Sequence, residues 1–156
     1  MERISDHITY QEAIKSQTGV RLGIVNQPSE VELANMIHVG KTIFDPVREF
    51  VGGALFVSSF FRCEALNSAI GGSSTSQHRS GEAVDVDAQV YGGKTNKEIF
   101  DFIRLNLEFD QLIWEFGTEE EPDWVHVSKQ RLGQNRGEIL VAYKRNGWTK
   151  YKPWNG

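Results

Sequence analysis

The sequence predicts a single α+β domain over residues 1–156, with a small antiparallel sheet flanked by helices. Three observations predict it. Helix-start signals alternate with short strand-like runs rather than with the long crossovers of a parallel sheet. No linker divides the chain, and nothing repeats at a period of about 20–50 residues. A chain of 156 residues, 39% hydrophobic and 24% charged, has the profile of one folded unit around one core.

The elements follow in order. Thr9 and Glu12 have capping-box spacing and predict a short helix that ends before Gly19. Ser29 and Glu32 repeat the signal. Leu33, Met36, Ile37, Gly40, Phe44, Val47 and Val51 then recur at threes and fours as an apolar helical stripe. Pro46 is expected to kink or end that helix. Gly52-Gly53 turns the chain into a strand over Ala54–Ser59. Cys63–Ile70 reads as a short helix stopped by Gly71-Gly72, and the polar stretch Ser73–Gly81 as a loop. Ala83–Ala88 alternates apolar and acidic residues, as a half-buried strand does. Thr95 and Glu98 cap a helix running to about Leu107, with Ile99, Phe102, Ile103 and Asn106 on one side. Gln111–Phe116, Trp124–Val127 and Ile139–Tyr143 complete the strands.

Composition narrows the function. With 17 basic against 21 acidic residues and a net charge of -4, the chain is not expected to bind nucleic acid without regard to sequence. No apolar run approaches the roughly 20 residues of a membrane span. A single cysteine, Cys63, excludes an intramolecular disulfide and a cysteine zinc cluster. Met1–Asp6 has no basic stretch leading into an apolar one, so no secretory signal is expected and synthesis ends in a cytoplasm.

The chemistry concentrates in Ser76-Gln77-His78-Arg79-Ser80-Gly81-Glu82-Ala83-Val84-Asp85. A loop histidine precedes a glycine that permits a sharp reversal, and the following strand points Asp85 to one face. Downstream, Asp123-Trp124-Val125-His126 sets another histidine in a strand, three residues after an acid. His78, Asp85 and His126 would form a three-ligand zinc site with one coordination position left for water. His7 and His38 lie in N-terminal segments and are not expected to be ligands. Asp87 shares a strand face with Asp85 and is expected to orient a ligand histidine. Glu115 ends an apolar strand, where a carboxylate is costly to bury unless paired.

The pattern Ser-x-His-x-x-Gly-x-Ala-x-Asp followed by acid-x-x-His resembles the zinc D-Ala-D-Ala carboxypeptidase-like peptidases of family M15. The resemblance runs through Val57–Asn67, Gly71–Asp85, Phe109–Gly117 and Asp123–Ser128, and is closest to small single-domain phage and prophage members. It implies a hedgehog/DD-peptidase-like fold and one zinc ion on His78, Asp85 and His126. It implies Asp123 as the general base; Glu121 and Glu115 are rivals for that task, and Glu115 is otherwise expected to pair with and orient a residue of the metal site. It implies that Arg62 holds the scissile carbonyl oxygen, although Phe60-Phe61-Arg62 stands where the family usually has Gly-Tyr-Arg. Ser76 would bond the substrate backbone or cap the loop. The implied function is hydrolysis of peptidoglycan stem peptides by a monomer, as a D-Ala-D-Ala carboxypeptidase or an L-Ala-D-Glu endopeptidase. A phage endolysin released through a holin is the implied setting.

Other classes stay open. A Cys63–His peptidase lacks an oriented histidine, and a Ser76–His78–Asp85 hydrolase lacks the Gly-x-Ser-x-Gly elbow. A catalytically silent zinc module of the same fold, acting in binding or signalling, is the non-enzymatic alternative. The basic, aromatic ending Lys144–Trp154 reads either as an edge hairpin or as a surface for the cell wall.

Overall fold

A computed structural model describes residues 1–156. Two short helices, α1 (Tyr10–Ile14) and α2 (Gln17–Leu22), lead into α3 (Glu30–Val39) and α4 (Asp45–Val51). Strands β1 (Phe56–Ser59) and β2 (Ala83–Asp87) bracket α5 (Glu64–Ala69) and a 3-10 turn over Gln77–Ser80. Helix α6 (Asn96–Asn106) precedes β3 (Gln111–Glu115), β4 (Trp124–Ser128), β5 (Glu138–Arg145) and β6 (Trp148–Pro153). The protein is therefore α+β. No helix is long and apolar enough to cross a membrane.

The capping boxes at Thr9, Ser29 and Thr95 all form, each hydroxyl accepting the N3 amide while the N3 glutamate returns to the cap. Between α3 and α4 the expected break at Pro46 takes the form of a π turn over Gly40–Phe44. Proline has no N–H to donate and its ring crowds the preceding turn, and the wider π turn accommodates both. Helix α2 is an addition to the expected elements. Ser16 caps it through the Gly19 amide, so Gly19 lies inside a helix instead of marking a stop.

The six strands form one sheet in the order β1-β2-β4-β3-β5-β6. Neighbours are antiparallel except β3 and β5, which run parallel. Residues 129–137 carry the chain back from the end of β4 to the start of β3, so β5 sets out beside β3 in the same direction. Alternation divides the sheet into two faces. Val84, Val86, Leu112, Trp114, Val125 and Val127 point into the main core with Met36, Val39, Ile43, Val47, Ile99, Phe100 and Ile103 of the helices. Asp85, Ile113, Glu115 and His126 point the other way, into an open cleft of about 780 Å³.

Candidate active site

Register across the sheet places the cleft residues in rows. Asp85 pairs with His126, His126 with Ile113, and Ile113 with Leu140. In the next row Trp124 pairs with Glu115, Glu115 with Ala142, and Ala142 with Tyr151. Two strands thus supply Asp85 and His126, while the 3-10 turn supplies His78 over the same edge. The turn ends at Gly81, whose φ is +76°. A Cβ there would approach the Glu32 carbonyl oxygen of α3 to 2.5 Å, so glycine satisfies both the left-handed backbone and the close packing.

His78, Asp85 and His126 converge. Asp85 Oδ2 lies 3.3 Å from His78 Nε2, and Asp85 Oδ1 lies 2.8 Å from His126 Nδ1. One donor atom from each residue lies within 4.8 Å of the others. His78 Nδ1 donates to the Phe60 carbonyl at 2.7 Å, which leaves Nε2 with its lone pair facing Asp85. Burial is the largest influence on His78 and lowers its pKa, keeping the ring neutral as a ligand must be. Burial pushes the Asp85 carboxyl up, but the hydrogen bond from His126 Nδ1 and the charge of that ring hold it below the usual carboxylate range, as His78 does whenever its own ring carries a second proton. Burial lowers His126 as well, yet the Asp85 hydrogen bond and charge raise it on balance.

This donor set fits a divalent cation. Tetrahedral zinc, with N and O ligands at about 2.0–2.1 Å, separates its donors by about 3.3 Å. His78 Nε2 already stands that far from Asp85 Oδ2, and His126 Nδ1 lies 2.8 Å from the other carboxylate oxygen, Oδ1, about half an ångström closer than that spacing. Two imidazoles and one carboxylate form a ligand set common to catalytic zinc.

The remaining residues singled out in the sequence divide between the cleft and the opposite side. Arg62 lines the cleft, donates from Nη2 to Ser76 Oγ at 3.3 Å, and has a buried Nε with no partner. Ser76 caps the 3-10 turn, accepting the His78 amide at 3.3 Å, and so ties Arg62 to His78. Glu115 is 8% exposed on the cleft floor. Its pKa is pushed up to about 7 by burial, against the pull of His126, with Asp85 adding repulsion.

Asp123 is not brought to the cleft. It lies an odd number of residues before His126, which puts the two on opposite faces, and its side chain is exposed. Its backbone amide bonds Glu115 and its carbonyl accepts Asn96 Nδ2 at 3.0 Å, on the helix side of the sheet. Glu121 is also drawn to that side, where Oε1 accepts the Lys97 amide at the start of α6. Asp87 Oδ1 accepts Asn96 Nδ2 and the Gln89 amide, both at 3.0 Å, and makes no bond to a histidine. His7 sits beside Glu49 and His38 in α3, both outside the cluster.

Several cleft residues were not anticipated. Gln77, Gln111, Lys144, Thr149 and Tyr151 also line it. Thr149 and Tyr151 alternate along β6 with Trp148, Lys150 and Lys152, so only half of that basic and aromatic strand faces the site. Burial raises the Tyr151 phenol, and the negative charges of Glu115 and Asp85 raise it further.

No curated protein matches the chain. The family model for Peptidase M15 matches residues 6–128, a stretch that contains Arg62, the three convergent donors and Glu115. A match over that much of the chain, around a cleft built in this way, makes the protein a member of the peptidase M15 family.

Proposed function

We propose that this cleft is the active site of a zinc peptidase that hydrolyses peptidoglycan stem peptides. The observation that carries the reading is the convergence of His78, Asp85 and His126 on one point, with Glu115 in the adjacent row and Arg62 at the rim. Zinc held by those three residues would supply Lewis acidity and lower the pKa of water so that a hydroxide nucleophile forms at neutral pH.

The chain's own groups do the rest. Glu115 accepts the proton of the attacking water, whose oxygen adds to the scissile carbonyl carbon. The same carboxyl then delivers that proton to the amine as the C–N bond breaks. Glu115 takes this role in preference to Asp123 because its side chain faces the cleft and that of Asp123 does not. Arg62, steadied by Ser76, offers guanidinium N–H groups to the carbonyl oxygen as negative charge develops on it. The Phe60 carbonyl keeps the His78 ring in one tautomer throughout.

Mass spectrometry of muropeptides incubated with the protein, with and without a zinc chelator, tests the reading. Chelator-sensitive cleavage is expected, and the product masses distinguish loss of terminal D-Ala from an internal cut such as L-Ala-D-Glu. Zinc bound without cleavage of any wall chemotype would instead assign the fold to binding.

A further inference from the structure

The β5–β6 hairpin lies beyond the family-matched segment, yet it builds the end of the cleft farthest across the sheet from Arg62. Three cations line the cleft: Arg62, Arg136 and Lys144. Arg136 is consumed by Asp110 at 2.8 Å and by Glu138. Lys144 has no carboxylate partner. Its Nζ donates to Thr149 Oγ1 at 2.9 Å and lies 5.3 Å from the centre of the Phe116 ring. In a chain of net charge -4, this cation is held in place by a hydroxyl and a ring while no acid neutralises it.

The ring beneath it is held at a cost. Phe116 has φ +57°, a left-handed conformation that L side chains adopt at about 1–2 kcal/mol per residue. Its amide donates to the Ala142 carbonyl at 3.0 Å, and its ring packs on Trp124 with centroids 5.4 Å apart. Gly117 follows with φ +75°, where a Cβ would run into the Glu121 carbonyl. The turn out of β3 thus directs Phe116 into the cleft, against Lys144 and Trp124. Local strain of this kind concentrates where a side chain must be positioned for a ligand. Across the hairpin, Ala142 is small enough to leave its partner Tyr151 room over the sheet, with the phenol lining the same cleft.

We propose that Lys144, with Thr149 and Tyr151, forms a recognition site for a carboxylate of the bound peptide, so that the cleft selects acidic peptides. The proposal rests on the peptidase reading above for the identity of its ligand. A stem peptide offers two such carboxylates, the chain-end α-carboxylate and the free α-carboxylate of a γ-linked D-Glu. Lys144 supplies the charge, and the Tyr151 hydroxyl supplies a second donor.

The probes are L-Ala-γ-D-Glu-L-Lys-D-Ala-D-Ala, its analogue amidated at D-Glu, and its analogue amidated at the C-terminus. Binding is measured by calorimetry on E115Q supplied with zinc, and turnover on the unmodified sequence. One amide is expected to bind about tenfold more weakly than the acid, which identifies the carboxylate recognised. K144A should weaken binding of the acid about tenfold and erase the difference between acid and amide, K144R should keep the difference, and Y151F should lose part of it. Equal affinity for all three peptides, no binding of any, or discrimination surviving in K144A would each overturn the site. Cleavage of all three with equal KM overturns the site and leaves the peptidase reading standing. Discrimination in binding with no turnover does the reverse.

Discussion

Asp110 and Asp85 are two aspartates enclosed by the same sheet, and their surroundings differ in kind. Asp110 is fully buried, and its oxygens accept Arg136 Nε at 3.1 Å, Arg136 Nη2 at 2.8 Å, the Arg136 amide at 2.9 Å and Gln77 Nε2 at 2.9 Å. Each lone-pair direction meets an N–H. Asp85 meets only two imidazole nitrogens, which carry lone pairs of their own. The first arrangement is saturated and fastens the loop before β5 to the start of β3 and to the 3-10 turn. The second gathers electron pairs around a shared point, which is stable only if something positive sits there: a proton in the empty protein, a cation in the loaded one. A closed set of partners indicates architecture, and an open one indicates chemistry.

The comparison is broken most severely at the open set. H78A, D85A or H126A should abolish stoichiometric zinc, read by metal analysis, and lower turnover by roughly 10³-fold or more. Full zinc occupancy in any of them would remove that residue from the ligand set. Next comes the proton carrier. E115Q should retain zinc and lose about 10²–10⁴-fold in kcat, while D123N stays within about twofold. Near-normal kcat in E115Q with a large loss in D123N would return the base role to Asp123.

The same Glu115 has a thermal signature in the metal-free protein. Its folded pKa of about 7 stands above the ordinary 4.5, so the folded state holds the proton more tightly than the unfolded chain. Below pH 4.5 this costs nothing. As pH rises from there through 7 the fold is progressively penalised, by about 3 kcal/mol at most. E115Q should therefore melt higher than the unmodified protein at pH 8 and at the same temperature at pH 4, in scans with chelator present.

The smallest effect belongs to the closed set. R136A should cost about 2 kcal/mol in denaturant unfolding, less than breaking a fully buried pair because the arginine is 54% exposed, and should leave zinc stoichiometry unchanged. Burial raises the Asp110 carboxyl, but Arg136 and Gln77 override it and depress its pKa. That stabilisation is present above the ordinary carboxylate range and is lost as pH falls through it, so R136A should flatten the acid side of the stability profile.

What could be read from the chain alone follows the distance over which each feature is encoded. The capped helices and the run from His78 to Asp85 are local, since a turn, a glycine and an alternating strand all declare themselves within ten residues. Pairing between strands is not local. Glu115 reaches the cleft because β3 lies beside β4 with Ile113 opposite His126, and that register cannot be counted from either segment. Asp123 is conspicuous in the sequence because it stands near a histidine, whereas strand parity, which that nearness hides, sends it to the far face. Tyr151 and Lys144 depend on β5 running parallel to β3, the one pairing at odds with the antiparallel sheet expected. Their segment stands out in the sequence for its charge and aromatic content, but only a partner strand assigns its faces.

The bond from His78 Nδ1 to the carbonyl of Phe60 carries a consequence for anyone who mutates this protein. The acceptor is main chain, so no replacement of the Phe60 side chain deletes it. A library that exchanges residue 60 for other amino acids would report only how well each fills the space beneath β1, and would score the position as packing. The imidazole's aim is thereby insulated from point mutation. It yields only to changes that move the backbone itself, such as an inserted residue between 59 and 62, and a lineage of such proteins could diversify its core there without disturbing the histidine.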